Sequence, residues 1–213
     1  EGPWEYKGHL MDHTVRTRGN HPGVIEYKGK SYLFGLNYDI MHLKTFAHAE
    51  QRSVSVAEMH YNEDGTIQEV PYFLDNVVEQ IGNLDPYAKV QAETMAWGYG
   101  LKTTKFEGSN RDMFVHDIDP GEMIVVRGVD FKKGAKKFFV QAASNANATI
   151  ELHIDSADGE LVGLLPVGQT GGLDEFTEFK TKLLKRVKGV HDLYIVFNGP
   201  SKDMLALDFW YMK

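Results

Sequence analysis

Cysteine is missing from the 213-residue chain, which removes disulfides, thiolate metal sites and cysteine nucleophiles together. That absence leaves the compartment open, because a protein without thiols can sit on either side of a membrane. No apolar run approaches the roughly 20 residues of a membrane span, so a membrane is not an expected partner. Positive charge is in short supply: 23 Lys and Arg stand against 30 Asp and Glu, a net charge of -7. Such a balance disfavours a nucleic-acid surface, although it leaves room for a local basic patch. No HExxH zinc motif, GxSxG elbow, P-loop or dinucleotide fingerprint occurs. The nine histidines are scattered, and the acidic residues nominate no pair for acid–base cleavage. Glu1-Gly2-Pro3-Trp4 is not a signal peptide, so an export signal is expected upstream of this segment or not at all.

What is present suits strands and turns. Hydrophobic residues make up 42%, aromatics 12%, and glycine is abundant at 21 residues. The length fits one large domain or two small ones. Trp4–Lys7, Val24–Tyr27, Ser31–Leu36, Arg52–Tyr61 and Thr66–Val70 read as strands, with Lys28-Gly29-Lys30 and Asn62-Glu63-Asp64-Gly65 as connections. Their modest apolar content is too small for a complete domain. Residues 71–87 form a boundary: Pro71, Gly82 and Asn83-Leu84-Asp85-Pro86 all interrupt regular structure, and a brief helical turn fits around Val77, Val78 and Ile81. From Ala88 the pattern becomes β. Met123–Phe131, Lys136–Ala143, Thr149–Asp155, Glu160–Val167, Glu175–Leu184, Asp192–Phe197 and Leu205–Met212 are successive strands after an irregular stretch. Ile150, Leu152 and Ile154 share one face; Leu193, Ile195 and Phe197 alternate with Asp192, Tyr194 and Val196. This period of two predicts a sandwich of two sheets.

A sandwich offers loops and sheet faces for binding. Phe176 falls on the wet side of its strand with Glu178, Lys180 and Lys182, so it reads as a platform for a sugar ring or as a cap on the core edge. Tyr99, Phe106 and Phe114 cluster in the irregular stretch and raise the prospect of a groove. Glu93, near the start of the sandwich, and Asp208, in its last strand, meet if first and last strands are neighbours. They then suit a shared calcium ion, or they are unrelated surface acids.

Four pieces of the first part resemble the closing end of glycoside hydrolase family 43, a five-bladed β-propeller group. They are Gly2-Pro3-Trp4-Glu5-Tyr6-Lys7-Gly8, Gly19-Asn20-His21-Pro22-Gly23, Glu26–Phe34, and Gln51–Met59 with Tyr61–Ile67. The resemblance implies that His21 faces the propeller channel and helps hold an ion there. It also implies that the three acids of an inverting reaction lie on blades upstream. Residues from Val90 resemble a family 6 carbohydrate-binding module, through Gln91-Ala92-Glu93, Asp117–Ile124, Gly128–Phe131, Ile150-Glu151, Asp155-Ser156, Gly163, Gly189–Phe197 and Leu207–Trp210. This implies a structural Ca2+ held by Glu93 and Asp208, with Gln91 as a further ligand. The family's loop-end sugar site pairs two rings with an Asn. Phe176 takes the late-loop ring, the first ring position falls on Asp117 with Phe114 three residues away, and the Asn position holds Ala206.

These readings predict an all-β chain: propeller end over 1–80, linker over 81–87, carbohydrate-binding jelly roll over 88–213. The implied role is to hold xylan or arabinoxylan for an α-L-arabinofuranosidase or β-xylosidase, with Phe176, Phe114, Asp117 and Tyr99 as sugar contacts. The departures at Asp117 and Ala206 leave two further expectations: use of the family's second site on a concave sheet face, or a sandwich that buttresses the propeller and binds no glycan. The implied partners are plant cell-wall polysaccharide and the missing blades, and the implied location is secreted or periplasmic. The chain alone is expected not to hydrolyse arabinoxylan.

Overall fold

The computed structural model describes residues 2–11, 21–38, 53–73, 78–107 and 112–213. Gly19, Asn20, Gln51, Arg52 and Val77, used in the sequence reading, lie outside them. The chain divides into two compact units, Glu1–Glu79 and Gln80–Lys213. Among the described residues, no helix is long and apolar enough to cross a membrane.

In the first unit, β1 (Gly23–Tyr27), β2 (Lys30–Asn37) and β3 (Ser53–Met59) form an antiparallel sheet in chain order. Lys28 and Gly29, with φ of 49° and 78°, make the left-handed turn that a two-residue hairpin requires. Leu33, Ala57 and Met59 pack one face of the sheet against Val70, Tyr72 and Phe73. The opposite face leaves Ile25, Tyr27, Phe34 and Val54 exposed. Two expected strands are absent. Trp4–Lys7 has no ladder, and Thr66–Val70 makes only isolated bridges, Ile67 to Tyr61 and Val70 to Met11. The Asn62–Thr66 turn closes on itself through Asn62 N–H to Thr66 O (2.7 Å), and the chain diverges after one paired residue.

The second unit is the sandwich. One sheet has the order β11 (Glu160–Val167), β10 (Ala148–Ile154), β13 (Val190–Asn198), β8 (Met123–Asp130), β5 (Trp97–Tyr99). The other runs β12 (Thr177–Lys182), β9 (Lys137–Ser144), β14 (Leu205–Met212), β7 (Met113–Ile118), β6 (Lys102–Lys105), with β4 (Val90–Gln91) pairing the far end of β14. Ile150, Leu152, Leu193, Ile195 and Phe197 from the first sheet meet Phe138, Val140, Leu207 and Trp210 from the second. All nine side chains are fully buried. Strands β4 to β7 occupy the stretch expected to be irregular. They escape periodicity because β4 has two residues and Lys102-Thr103-Thr104-Lys105 is exposed throughout.

Residues 81–87 belong to the second unit, along its surface. Leu84 N–H donates to Gly128 O and Asp130 N–H to Leu84 O, each at 2.9 Å, while Tyr87 Oη donates to Phe131 O at 2.7 Å. The segment is a strap on β8.

Candidate functional site

The loop end of the sandwich brings three phenylalanines together. Phe114 lies on β7, Phe106 just past β6 and Phe176 just before β12. Their ring centroids are 4.7 Å (106–114), 5.2 Å (106–176) and 5.3 Å (114–176) apart, with interplanar angles of 47–73°. Each ring is half-buried, so Phe176 spends much of its surface on its two neighbours. Beside the trio, Asp117 has a left-handed φ of 55°. Its carboxylate accepts from Lys102 Nζ at 2.5 Å and lies 3.0 Å from His116 Nδ1. The Lys102 bond, then the His116 bond, holds the Asp117 carboxyl below the usual aspartate range. Ala206, at the family's Asn position, is completely buried and offers no polar group. The structure thus joins Phe114, Phe176 and, through His116, Asp117.

Tyr99 stands apart from that group, on the edge strand β5 of the other sheet, 61% exposed. The strand register places it in a row across the outer face: Tyr99, Met123, Val196, Glu151, Leu164. The adjacent row runs Trp97, Val125, Tyr194, His153, Leu161. Tyr194 therefore lies one strand from His153, while Trp97 and Tyr99 lie three strands from His153 and Glu151, and Glu151 Oε2 stands 3.2 Å from His153 Nε2. Trp97 and Tyr194 were not among the expected contacts. The signal for Tyr194 was its place opposite Leu193, Ile195 and Phe197 in the alternation; three-residue β5 carried none.

The third locus is the β4–β14 edge. Phe209 pairs with Gln91 and Trp210 with Val90, and Ala92 N–H donates to Asp208 O at 2.8 Å. First and last strands of the sandwich are therefore neighbours. The β9–β14 register shifts between Leu207 and Phe209, leaving Asp208 out of step; a bulge of this kind re-aims a side chain. Burial raises the Asp208 carboxyl above its usual range; Lys89 opposes this, and the charges of Glu93 and Asp112 add to it. Gln91 Oε1 and Glu93 Oε2 are buried without a hydrogen-bond partner. Buried orphan oxygens beside the half-buried Asp208 carboxylate suit a hard cation. Among the described residues, no group of three or more His, Asp or Glu side chains stands at metal-binding spacing. A cation here depends on amide and backbone oxygens as well as the two acids. His21 is exposed just before β1, and no such group surrounds it among the described residues.

Residues 91–213 match the family profile described as carbohydrate binding module (family 6). The chain is 34% identical over 224 aligned residues to an arabinoxylan arabinofuranohydrolase of Paenibacillus polymyxa, covering 98% of this chain and 34% of that protein. A crystal structure of a glycoside hydrolase family 43 arabinoxylan arabinofuranohydrolase from Bacillus subtilis, in complex with cellotetraose, superposes with a TM-score of 0.90. It is 33% identical, and the match covers 100% of this chain and 45% of that one. A family 6 carbohydrate-binding module from Clostridium cellulolyticum in complex with xylose is 29% identical with a TM-score of 0.57, over 61% of this chain and 99% of that one. The chain thus spans less than half the length of the arabinofuranohydrolases it matches.

Proposed function

The chain belongs to carbohydrate binding module family 6, and from that membership we propose that its sandwich holds xylan or arabinoxylan for a hydrolase of which this chain is a part. The observation that carries the proposal is the outer face of the five-stranded sheet, where Tyr99, Trp97 and Tyr194 share two adjacent rows with Glu151. Flat rings take the C–H faces of pyranose units, and the Glu151 carboxylate, positioned by His153, takes hydroxyls. We read this face as the second binding position implied by the family resemblance. Phe114, Asp117 and Phe176 form the alternative position at the loop end. Retention on insoluble arabinoxylan tests both. Tyr99→Ala is expected to weaken retention about three- to tenfold, with Phe176→Ala leaving it unchanged; the reverse pattern would move the site to the loop end.

A purely structural sandwich is the second reading. It is favoured by the Phe106–Phe114–Phe176 contacts and the buried Ala206, which leave the loop end without its ring pair and amide. Undiminished arabinoxylan retention in both variants, at the level of an unrelated protein, supports that reading.

The parent is proposed to be an inverting family 43 arabinofuranosidase or xylosidase, working outside the cytoplasm where its polymer is. Residues 1–79 would close a five-bladed propeller. The apolar face formed by Ile25, Tyr27, Phe34 and Val54 supports this, because a blade needs a neighbour on each side. His21 would then serve the ion of the central channel. In the sandwich, Ca2+ would be held by Asp208, Glu93 and Gln91 with backbone carbonyls, tying β4 to β14. Its role there is structural: it neutralises two acids that otherwise repel each other.

A further inference from the structure

On the outer face of the other sheet, the last rows of β12, β9 and β14 collect lysines around a pair of rings. Lys182 stands directly opposite Lys137, and Lys180 opposite Phe139. Phe139 in turn faces Tyr211, and the two rings stack at 4.7 Å with a 4° angle. Lys213 continues beside Lys137 through paired backbone bonds of 2.9 and 3.0 Å, and its Nζ lies 4.8 Å from the Phe139 centroid. Lys136 borders the same end, its carbonyl accepting from Leu183 N–H. Lys136, Lys137, Lys180 and Lys182 are exposed. None of them is in an ion pair with a described residue. Glu178, the carboxylate one row away, is engaged by the Tyr211 hydroxyl at 2.8 Å.

Like charges directly opposite each other on adjacent strands destabilise a sheet. The chain carries more acids than bases, yet no described carboxylate neutralises this row. An external anion supplies what the fold withholds. Dense phosphate is a poor match, because the row is built of lysine, a point charge, instead of the bidentate arginine fork that phosphate favours. Carboxylates spaced along a sugar chain fit better. Cations two residues apart on a strand are about 7 Å apart and those across strands about 5 Å. The half-buried Tyr211 ring, stacked on the buried Phe139, gives the neighbouring sugar an apolar edge.

We propose that this lysine-and-ring face of β12, β9 and β14 binds a uronate-bearing polysaccharide, with the lysines meeting its carboxylates. The proposal deepens the glycan reading above, and neutral polymer tests that reading separately. The experiment compares the 213-residue chain on soluble glucuronoxylan and on the same polymer after its uronic acids are reduced to neutral sugars. Binding to the acidic form is expected to be about three- to tenfold tighter at low salt, with the difference vanishing when ionic strength is raised to about 0.3 M. A Lys137→Ala, Lys180→Ala, Lys182→Ala triple variant should abolish the difference while keeping its affinity for the reduced polymer, with a melting temperature unchanged or raised. The corresponding triple arginine variant should retain it. Equal binding to the two polymers, or a difference that survives the triple alanine variant, overturns the proposal. So does stronger retention on single-stranded DNA or phosphatidylglycerol vesicles than on glucuronoxylan at the same salt.

Discussion

At Asp208 the ladder between β9 and β14 loses a step, and the carboxyl feels the charges of Glu93, just past β4, and Asp112, just before β7. Ionising that carboxyl without a counter-ion is unfavourable, so its folded pKa lies above the ordinary value of 3.8. The ion-free protein therefore holds this contribution below the unfolded pKa and loses it as pH rises through the raised folded value. A bound cation reverses the preference by favouring the carboxylate, and a proton competes with it. Calcium at about one hundred times its dissociation constant should stabilise the folded form by roughly 2.7 kcal/mol at neutral pH. The accompanying rise in melting temperature should shrink as pH falls toward the titration of Asp208. Scanning calorimetry with saturating calcium and with excess chelator, at two pH values, reads this directly. A calcium shift that does not vary with pH, or that persists in Asp208→Asn, would remove Asp208 from the site. Core positions respond differently: Phe138→Ala should cost about 3–5 kcal/mol whether or not calcium is present, because its ring is wholly inside the sandwich.

Strand β10 and its partner β13 were legible because every second residue is apolar and every such residue is buried. The same rule set Phe179 and Leu183 toward the core and the charged residues of β12 outward. It failed where strands are too short or too wet to show a period: β4 owes its existence to pairing with β14, and β6 to pairing with β7. Partnering is a property of the folded chain, invisible to a local window. The candidate sites divide along the same line. Glu93 with Asp208, and Phe114 with Phe176, were nominated from sequence, and the fold brings each pair into one neighbourhood. Tyr99 belongs to a different sheet, because residues 100–101 carry the chain from one sheet's edge to the other's. The strap across β8 illustrates the point at Tyr87. Its turn-forming sequence suggested a linker, whereas its hydroxyl caps the Phe131 carbonyl. Tyr87→Phe should cost about 1 kcal/mol in chemical denaturation; an unchanged midpoint would make that bond dispensable.

The buried core of the second unit is drawn from residues between Val90 and Met212 alone. A fragment from Gln80 to Lys213 is therefore expected to fold cooperatively and to show the calcium response proposed for the longer chain. Loss of a sharp transition in that fragment would show that the first unit is needed for its stability. The sandwich also has an order of assembly built into it. Strand β14 occupies the middle of its sheet, bonded to β9 on one side and to β7 and β4 on the other. A sheet whose central strand follows all its partners in sequence cannot close until that strand has been made, since contacts of such long sequence separation wait for it. Until Leu205–Met212 has been made, β4, β7 and β9 each keep one edge without the neighbour that β14 supplies, and a chain halted before Leu205 offers those edges to chaperones and proteases.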